Sequence, residues 1–485
     1  MLQSFRSNSF IFLSALLFIV LCVYFIWIEK PYLTLFPFVF LAIYFCIYET
    51  KWAFLGLAFF TPLSVNIEEW TSSFGLFVPT EPILFGLMIL VIFLNLKKNT
   101  IPPDFWSNPI VWTIGIYLFW IGITCITSSN PMVSIKFLIS RLWFIIPLLV
   151  LGTMIFVKSK YVKWFLWLFI CGMVIVMLYT LLTHASYRFG EKESHWVMWP
   201  FFKDHTIYGA IVALIVPLLF GLYFSKKHPP LVQAIILTFI FINLLALYFS
   251  YTRAAWLSIF AAMGVWALIH FRIRFSFLLG ISLFFGIVLF YSWDGIQMEL
   301  ERNKFEHTTE EFSERLQSAT NVTTDASNLE RINRWSCALA MFKERPIFGF
   351  GPGTYAFEYA RFQQPKNLTI ISTNFGNMGN AHSEYLGPLA EMGLLGLLTV
   401  LGIIAAIFYK GITLYYAWPD DDKESRIIIL SIVLSLTTYF VHGILNNFLD
   451  TDKAAVPIWG MAAIIMAMEM RLKRKYATVS AKVTD

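Results

Sequence analysis

Apolar runs of about 17 to 25 residues recur along almost the whole chain, and nothing else narrows the possible folds so sharply. A run of that length crosses the hydrocarbon core of a bilayer as a helix. In lipid, backbone amides must bond within their own segment, which is why such runs become helices. Windows of this kind lie near 9-28, 32-49, 51-65, 82-96, 109-127, 142-157, 161-183, 206-224, 231-250, 254-270, 275-292, 384-408, 427-446 and 456-470. The 485 residues are 58% hydrophobic and only 14% charged, with mean hydropathy +0.68, whereas a soluble globule carries about 25% charged residues. These values exclude a soluble enzyme, a disordered hub and a secreted disulfide scaffold. The expected fold is an all-α polytopic membrane protein of about 12-14 transmembrane helices.

Placing the N-terminus in the cytoplasm puts nineteen Lys and Arg residues in short inside loops. The short outside loops then hold eight: Lys30, Lys136, Arg141, Arg188, Lys192, Lys203, Arg253 and Lys453. The positive-inside rule thus sets both termini in the cytoplasm and the long segment 293-380 outside. The net charge of +6 is topological, and no nucleic-acid partner is expected. Four of the five cysteines lie in apolar stretches and Cys337 has no partner of similar depth, so no disulfide is expected.

The chain divides into an N-terminal bundle of about eleven spans (1-292), the large outer loop (293-380), C-terminal helices (381-470) and a basic tail (471-485). Within the loop, Arg331, Arg334, Trp335, Ala338 and Phe342 share one face of a helix, the pattern of an element lying on the outer membrane surface. The following Pro346-Ile347-Phe348-Gly349-Phe350-Gly351-Pro352-Gly353 lacks the Lys-Ser/Thr ending of a phosphate loop and reads as a rigid turn.

Several polar groups stand at the outer face. Arg253 sits in a loop of a few residues, where it either snorkels to headgroups or binds phosphate oxygens bidentately. Arg188 is a second outside arginine, either a solvated loop charge or a second phosphate ligand. His382 opens a span, where the helix macrodipole favours a neutral imidazole; it is either an ordinary interfacial histidine or a general base for a hydroxyl. Glu391 lies about 13 Å deeper at 1.5 Å per residue, where an acid marks either function or a hydrogen bond to a neighbouring helix. Pro388 is expected to kink this span and open a polar pocket. Glu81, Asn446-Asn447 and Asp450-Thr451-Asp452 are read as solvated rims. The remaining histidines, His184, His195, His205, His228, His270, His307 and His442, lack ligand spacing, so no metal site is expected.

The stretch Asn380-Ala381-His382-Ser383-Glu384-Tyr385-Leu386, continuing Leu389-Ala390-Glu391-Met392-Gly393-Leu394-Leu395-Gly396-Leu397, resembles the hallmark of the O-antigen ligase and polymerase superfamily. Tyr251-Thr252-Arg253-Ala254-Ala255-Trp256, Arg331-Ile332-Asn333-Arg334-Trp335 and Glu344 to Gly353 agree in kind and order, so the resemblance covers about 200-400. It implies a GT-C-like membrane glycosyltransferase with one large periplasmic loop, in the bacterial inner membrane with its site facing the periplasm. The donor would be a glycan on undecaprenyl diphosphate, and the acceptor lipid A-core or another hydroxyl. By the same resemblance His382 is catalytic, Arg188 and Arg253 bind the donor diphosphate, and Arg331, Trp335 and Glu391 are possible substrate-binding residues. No metal and no cofactor are implied, because diphosphate is already a good leaving group. Ser-Arg-Gly of the family stands here as Thr252-Arg253-Ala254, and His-Asn as His382-Ser383. A polymerase, a protein O-oligosaccharyltransferase and a lipid-linked glycan flippase are the alternatives.

Overall fold

The computed structural model describes residues 16–28, 34, 36–69, 75–98, 101–273, 326–363 and 379–484. The span expected at 275-292 and the polar opening of the long loop lie outside the described residues.

Ten helices among the described residues are long and apolar enough to cross a membrane. They are α4 (Thr80–Lys98), α6 (Pro109–Ile126), α7 (Pro131–Phe156), α8 (Ser159–Ser186), α9 (His205–Ser225), α10 (Pro230–Phe249), α11 (Arg253–His270), α14 (Leu386–Ala417), α15 (Lys423–His442) and α16 (Asp452–Thr484). Three shorter apolar helices precede them: α1 (Leu16–Trp27), α2 (Phe36–Tyr48) and α3 (Thr50–Leu63). The rest are short α5 (Pro103–Trp106), α12 (Ala326–Glu344) in the long loop, and short α13 (Tyr355–Glu358). A two-stranded antiparallel hairpin pairs Val65 with Val78 and Asn66 with Phe77.

Local sequence explains many of the helix starts. Proline stands in the first turn of α6, α7 and α10, and the Asn108, Asn130, Asp204 and Asp422 side chains accept amide hydrogens at the starts of α6, α7, α9 and α15. Helices α9, α15 and α16 form the buried centre, while α10, α11 and α14 keep broad apolar faces outward. Lipid offers no hydrophobic drive between helices, so close approach matters. At Gly221 a Cβ would come within 2.4 Å of the Ser431 side chain, so only glycine lets α9 and α15 meet there.

Two expectations about polar groups fail. Helix α7 begins at Pro131, eleven residues earlier than the apolar window, so Lys136 and Arg141 are helical rather than in a loop. Arg141 is 7% exposed. Of the rims expected to be solvated, Asp450 is exposed as expected, whereas Glu81, Asn446 and Asp452 are buried. Lys453 donates to the carbonyls of Thr61, Pro62 and Ser64 (2.7, 3.2 and 2.7 Å), where Pro62 ends α3, and Ser64 Oγ lies 2.5 Å from Asp452 Oδ2. These groups satisfy helix ends that pack against one another, which hydropathy alone does not register.

Candidate active site

The long loop folds back as a cap over the start of α14. Its helix α12 turns Glu330, Asn333, Arg334, Cys337, Ala338 and Met341 inward. That stripe packs on Phe350, Tyr355, Tyr359, Ala381 and Ala390, rotated from the face expected to lie on the membrane. The buried charge explains the choice. Arg334 Nε donates to Glu330 Oε1 at 2.6 Å, its guanidinium lies 4.0 Å from the centre of the Tyr359 ring, and Tyr355 Oη donates to its carbonyl at 2.7 Å. An arginine paired with a carboxylate and an aromatic face can be buried where a lipid surface would leave it without either.

The Pro-Ile-Phe-Gly-Phe-Gly-Pro-Gly turn locks onto α14 backbone to backbone. Phe350 and Gly351 amides donate to the Ala390 and Glu391 carbonyls, and Leu394 N–H donates to the Pro346 carbonyl. Gly349 (φ +64°) and Gly393 (φ +67°) lie in the left-handed region; a Cβ on Gly349 would meet Glu391 at 2.3 Å, and one on Gly393 the Ile347 carbonyl oxygen at 2.2 Å. The break in α14 is therefore at Gly393 and not at Pro388, which sits harmlessly in the first turn. Glu391 accepts from Gly353 N at 2.9 Å and Tyr355 N at 3.0 Å, one on each carboxylate oxygen. Its geometry is that of a clamp on the cap.

His382 projects from the short crossing between cap and span. It adopts φ +46°, held by its amide donating to Asn380 Oδ1 (3.0 Å) and its carbonyl accepting from Trp335 Nε1 (3.4 Å). Burial, reinforced by Arg331 and Arg334, lowers its pKa to about 4, against the opposing pull of Glu330 and Asp204. The imidazole is neutral for these reasons and not chiefly through the helix dipole. Ser383, where the family usually has Asn, accepts from the Tyr385 and Leu386 amides through Oγ at 3.3 Å, so it performs the capping either residue can perform.

Arg188 and Arg253 occupy a neighbouring rim. Arg188 is exposed just beyond α8, in a left-handed conformation; Arg253 is half-buried as the first residue of α11. Their loops are tied together, since Tyr251 Oη donates to the Phe189 carbonyl at 2.9 Å and Phe189 stacks on Phe249 at 4.1 Å. Thr252 Oγ1 donates to the His205 carbonyl at 2.8 Å, joining this rim to the start of α9 capped by Asp204. Asp204 in turn acts electrostatically on His382 and on His442 at the end of α15. Thus Trp335 touches the His382 backbone, Arg331 acts through its charge, and the Arg188 and Arg253 loops connect to His382 by way of Asp204.

Three polar residues here were not singled out by sequence. His442 is buried with neither ring nitrogen bonded; it was visible only as a histidine without ligand spacing. Asp204 looks like an ordinary helix cap. Glu384 was visible within the His382 motif, yet nothing local reveals that its Oε1 accepts from Tyr439 Oη (2.6 Å), Phe448 N (2.7 Å) and Leu449 N (2.8 Å). Burial raises its pKa. Behind the His382 crossing lies a cavity of about 740 Å3, bounded by α7, α14 and the Glu384 loop. Among the described residues no three His, Cys, Asp or Glu side chains are grouped to hold a metal ion.

These features define a polytopic all-α membrane protein whose polar site is covered by a folded loop at one end of the bundle. Residues 237–401 match the family model described as O-antigen ligase (Wzy_C). The matched segment includes Arg253, Arg331, Trp335, His382 and Glu391; Arg188 precedes it. An uncharacterized protein of Haemophilus influenzae is 36% identical over 80 residues, which are 16% of this chain and 19% of that protein. The chain thus matches about a fifth of that relative's length.

Proposed function

We propose that this protein transfers a glycan from undecaprenyl diphosphate to a hydroxyl acceptor, with lipid A-core the preferred acceptor, at the periplasmic face of the bacterial inner membrane and with both termini cytoplasmic. The observation that carries this reading is the neutral His382, held in a left-handed conformation where the capped loop meets the membrane, inside the segment matched by the O-antigen ligase family. The acceptor hydroxyl attacks the anomeric carbon, its proton passes to His382, and the bond to the diphosphate oxygen breaks. The leaving diphosphate keeps the bonding electrons, and the guanidinium groups of Arg188 and Arg253 offset its charge. A single in-line displacement inverts the anomeric centre.

The electrostatics around His382 fit this sequence of events. Arg331 and Arg334 suppress protonation of His382. A bound diphosphate counters their field and so makes His382 a stronger base once the donor is present. Trp335 serves as a positioning residue through the His382 carbonyl.

The test is gene deletion with complementation. Full-length polymer stranded on the carrier above bare lipid A-core is the expected phenotype, restored by wild type and not by His382→Ala or Arg253→Ala. Single repeats capping the core would instead indicate a polymerase, and unchanged glycolipid would refute the reading in favour of a protein acceptor or another activity.

A further inference from the structure

Four polar atoms buried without a hydrogen-bond partner belong to residues lining one space, the cavity behind the His382 crossing: Arg141 Nε, Trp143 Nε1, Trp459 Nε1 and Asn447 Oδ1. Folded proteins leave few such groups unpaired, and those left commonly face a water or a ligand. Arg141 is the most telling. It is more than nine-tenths buried in α7, and its Nη1 is already held by the Leu449 carbonyl while Nε is unbonded. Three donors and one acceptor around a single space match a hydroxylated group, since each hydroxyl can both give and take a hydrogen bond.

The rest of the cavity says what carries those hydroxyls. Its lining runs down α14 from Gly387 through Val400 to Ile404, and across to Phe144 of α7. Seventeen residues of helix correspond to roughly 25 Å, so the space leads from the crossing to an apolar floor. Its upper wall includes Asn380, Ala381 and Ser383, the residues on either side of His382. Glu384, Glu391 and Asp450 also line it. With Glu81 the lining holds four carboxyl groups against one buried arginine and the exposed Lys136, a balance that does not suit a diphosphate, which carries its own negative charge and belongs with Arg188 and Arg253 on the other rim.

We propose that this cavity is the acceptor site: it takes a glycolipid acceptor whose hydroxylated sugar lies against Arg141 and Asn447 and whose hydrocarbon chain descends along α14. The assignment rests on the glycan-transfer reading, and it separates the two substrates. Donor diphosphate sits on the α8–α11 side, acceptor sugar on the α7–α14 side, and the His382 crossing lies between them.

Photocrosslinking tests the site without requiring turnover. The full-length protein, with p-benzoylphenylalanine in place of Ile404 or, separately, Val400, is placed in nanodiscs of phosphatidylethanolamine and phosphatidylglycerol. Trace dodecyl maltoside, or polymer-free glycolipid from the deletion host, is added as the probe, and adduct masses are read after irradiation. Glycoside adducts in preference to phospholipid are expected at both positions, with yield lowered at least fivefold by Asn447→Leu. Arg141→Lys, which keeps the charge but lacks Nε, should lower it similarly. Adducts with phospholipid only, or glycoside adducts indifferent to both substitutions, would overturn the proposal while leaving glycan transfer standing. Glycoside adducts in a protein whose deletion leaves all surface glycan unchanged would keep the binding site and remove its role as acceptor in transfer.

Discussion

Glu391→Gln tests the logic of the capped site most directly. Each oxygen of Glu391 accepts one backbone amide, from Gly353 and from Tyr355. Glutamine is nearly the same shape, yet it presents one oxygen and one NH2, so one loop N–H must face another donor. A hydrogen bond to a charged group contributes about 1.5–3 kcal/mol, and an amide left unpaired in a buried place costs about 1–3 kcal/mol. Taking the low end of both, the cap loses roughly 2.5–3 kcal/mol, which at 1.4 kcal/mol per tenfold is about a hundredfold in the ratio of docked to undocked turn. Hydrogen–deuterium exchange resolves this at the residues concerned. The Gly353 and Tyr355 amides should exchange about a hundredfold faster in the variant, whereas the Gly351 amide, bonded to the Glu391 main-chain carbonyl, should change less. Wild-type protection at Gly353 and Tyr355 would refute the clamp and return Glu391 to the list of groups free to meet substrate.

Other consequences can be measured alongside it. His382 is neutral above about pH 4 in the unliganded protein, so kcat/KM should be flat from pH 8 to about 5 and fall only towards pH 4; an acid limb at 6.5 would contradict the burial argument. The linked stability effect has a definite sign: between pH 4 and 6.5 an unfolded chain binds the proton that folded His382 refuses, so stability declines as pH drops through that window and is level above it. Trp335→Phe keeps the ring and loses the donor to the His382 carbonyl, so kcat should fall several-fold with the donor KM unchanged; a change in donor KM alone would make Trp335 a substrate contact instead. Lys453→Met leaves the Thr61, Pro62 and Ser64 carbonyls at the end of α3 without their buried donor, a cost of about 1–3 kcal/mol for an acceptor left unpaired, and an unaltered thermal midpoint would argue against that reading. Gly393→Ala should lower the midpoint as well, because its left-handed backbone and the Ile347 carbonyl at 2.2 Å leave no room for a Cβ.

The ten long apolar helices coincide with windows visible in the sequence, because transfer into hydrocarbon is a sum over residues in one segment and needs no partner. The motif around His382, with Arg253 and Arg331 ahead of it, was legible for a similar reason: short blocks of residues can be read locally. What the tertiary structure decided concerns polar groups. A window scan treats every charge as a penalty, so it placed Arg141 in a loop, although helix α7 buries it beside a carbonyl more than three hundred residues away in sequence. It set α12 on the membrane surface, although the Glu330–Arg334 pair and the Tyr359 ring make burial of that face possible. It expected the kink at Pro388, whereas the break falls at Gly393, in a left-handed conformation where the Ile347 carbonyl leaves no space for a Cβ. Hydrophobic placement follows from a residue's own chemistry; the position of a buried charge depends on the partner that meets it, and only the folded chain brings that partner within reach.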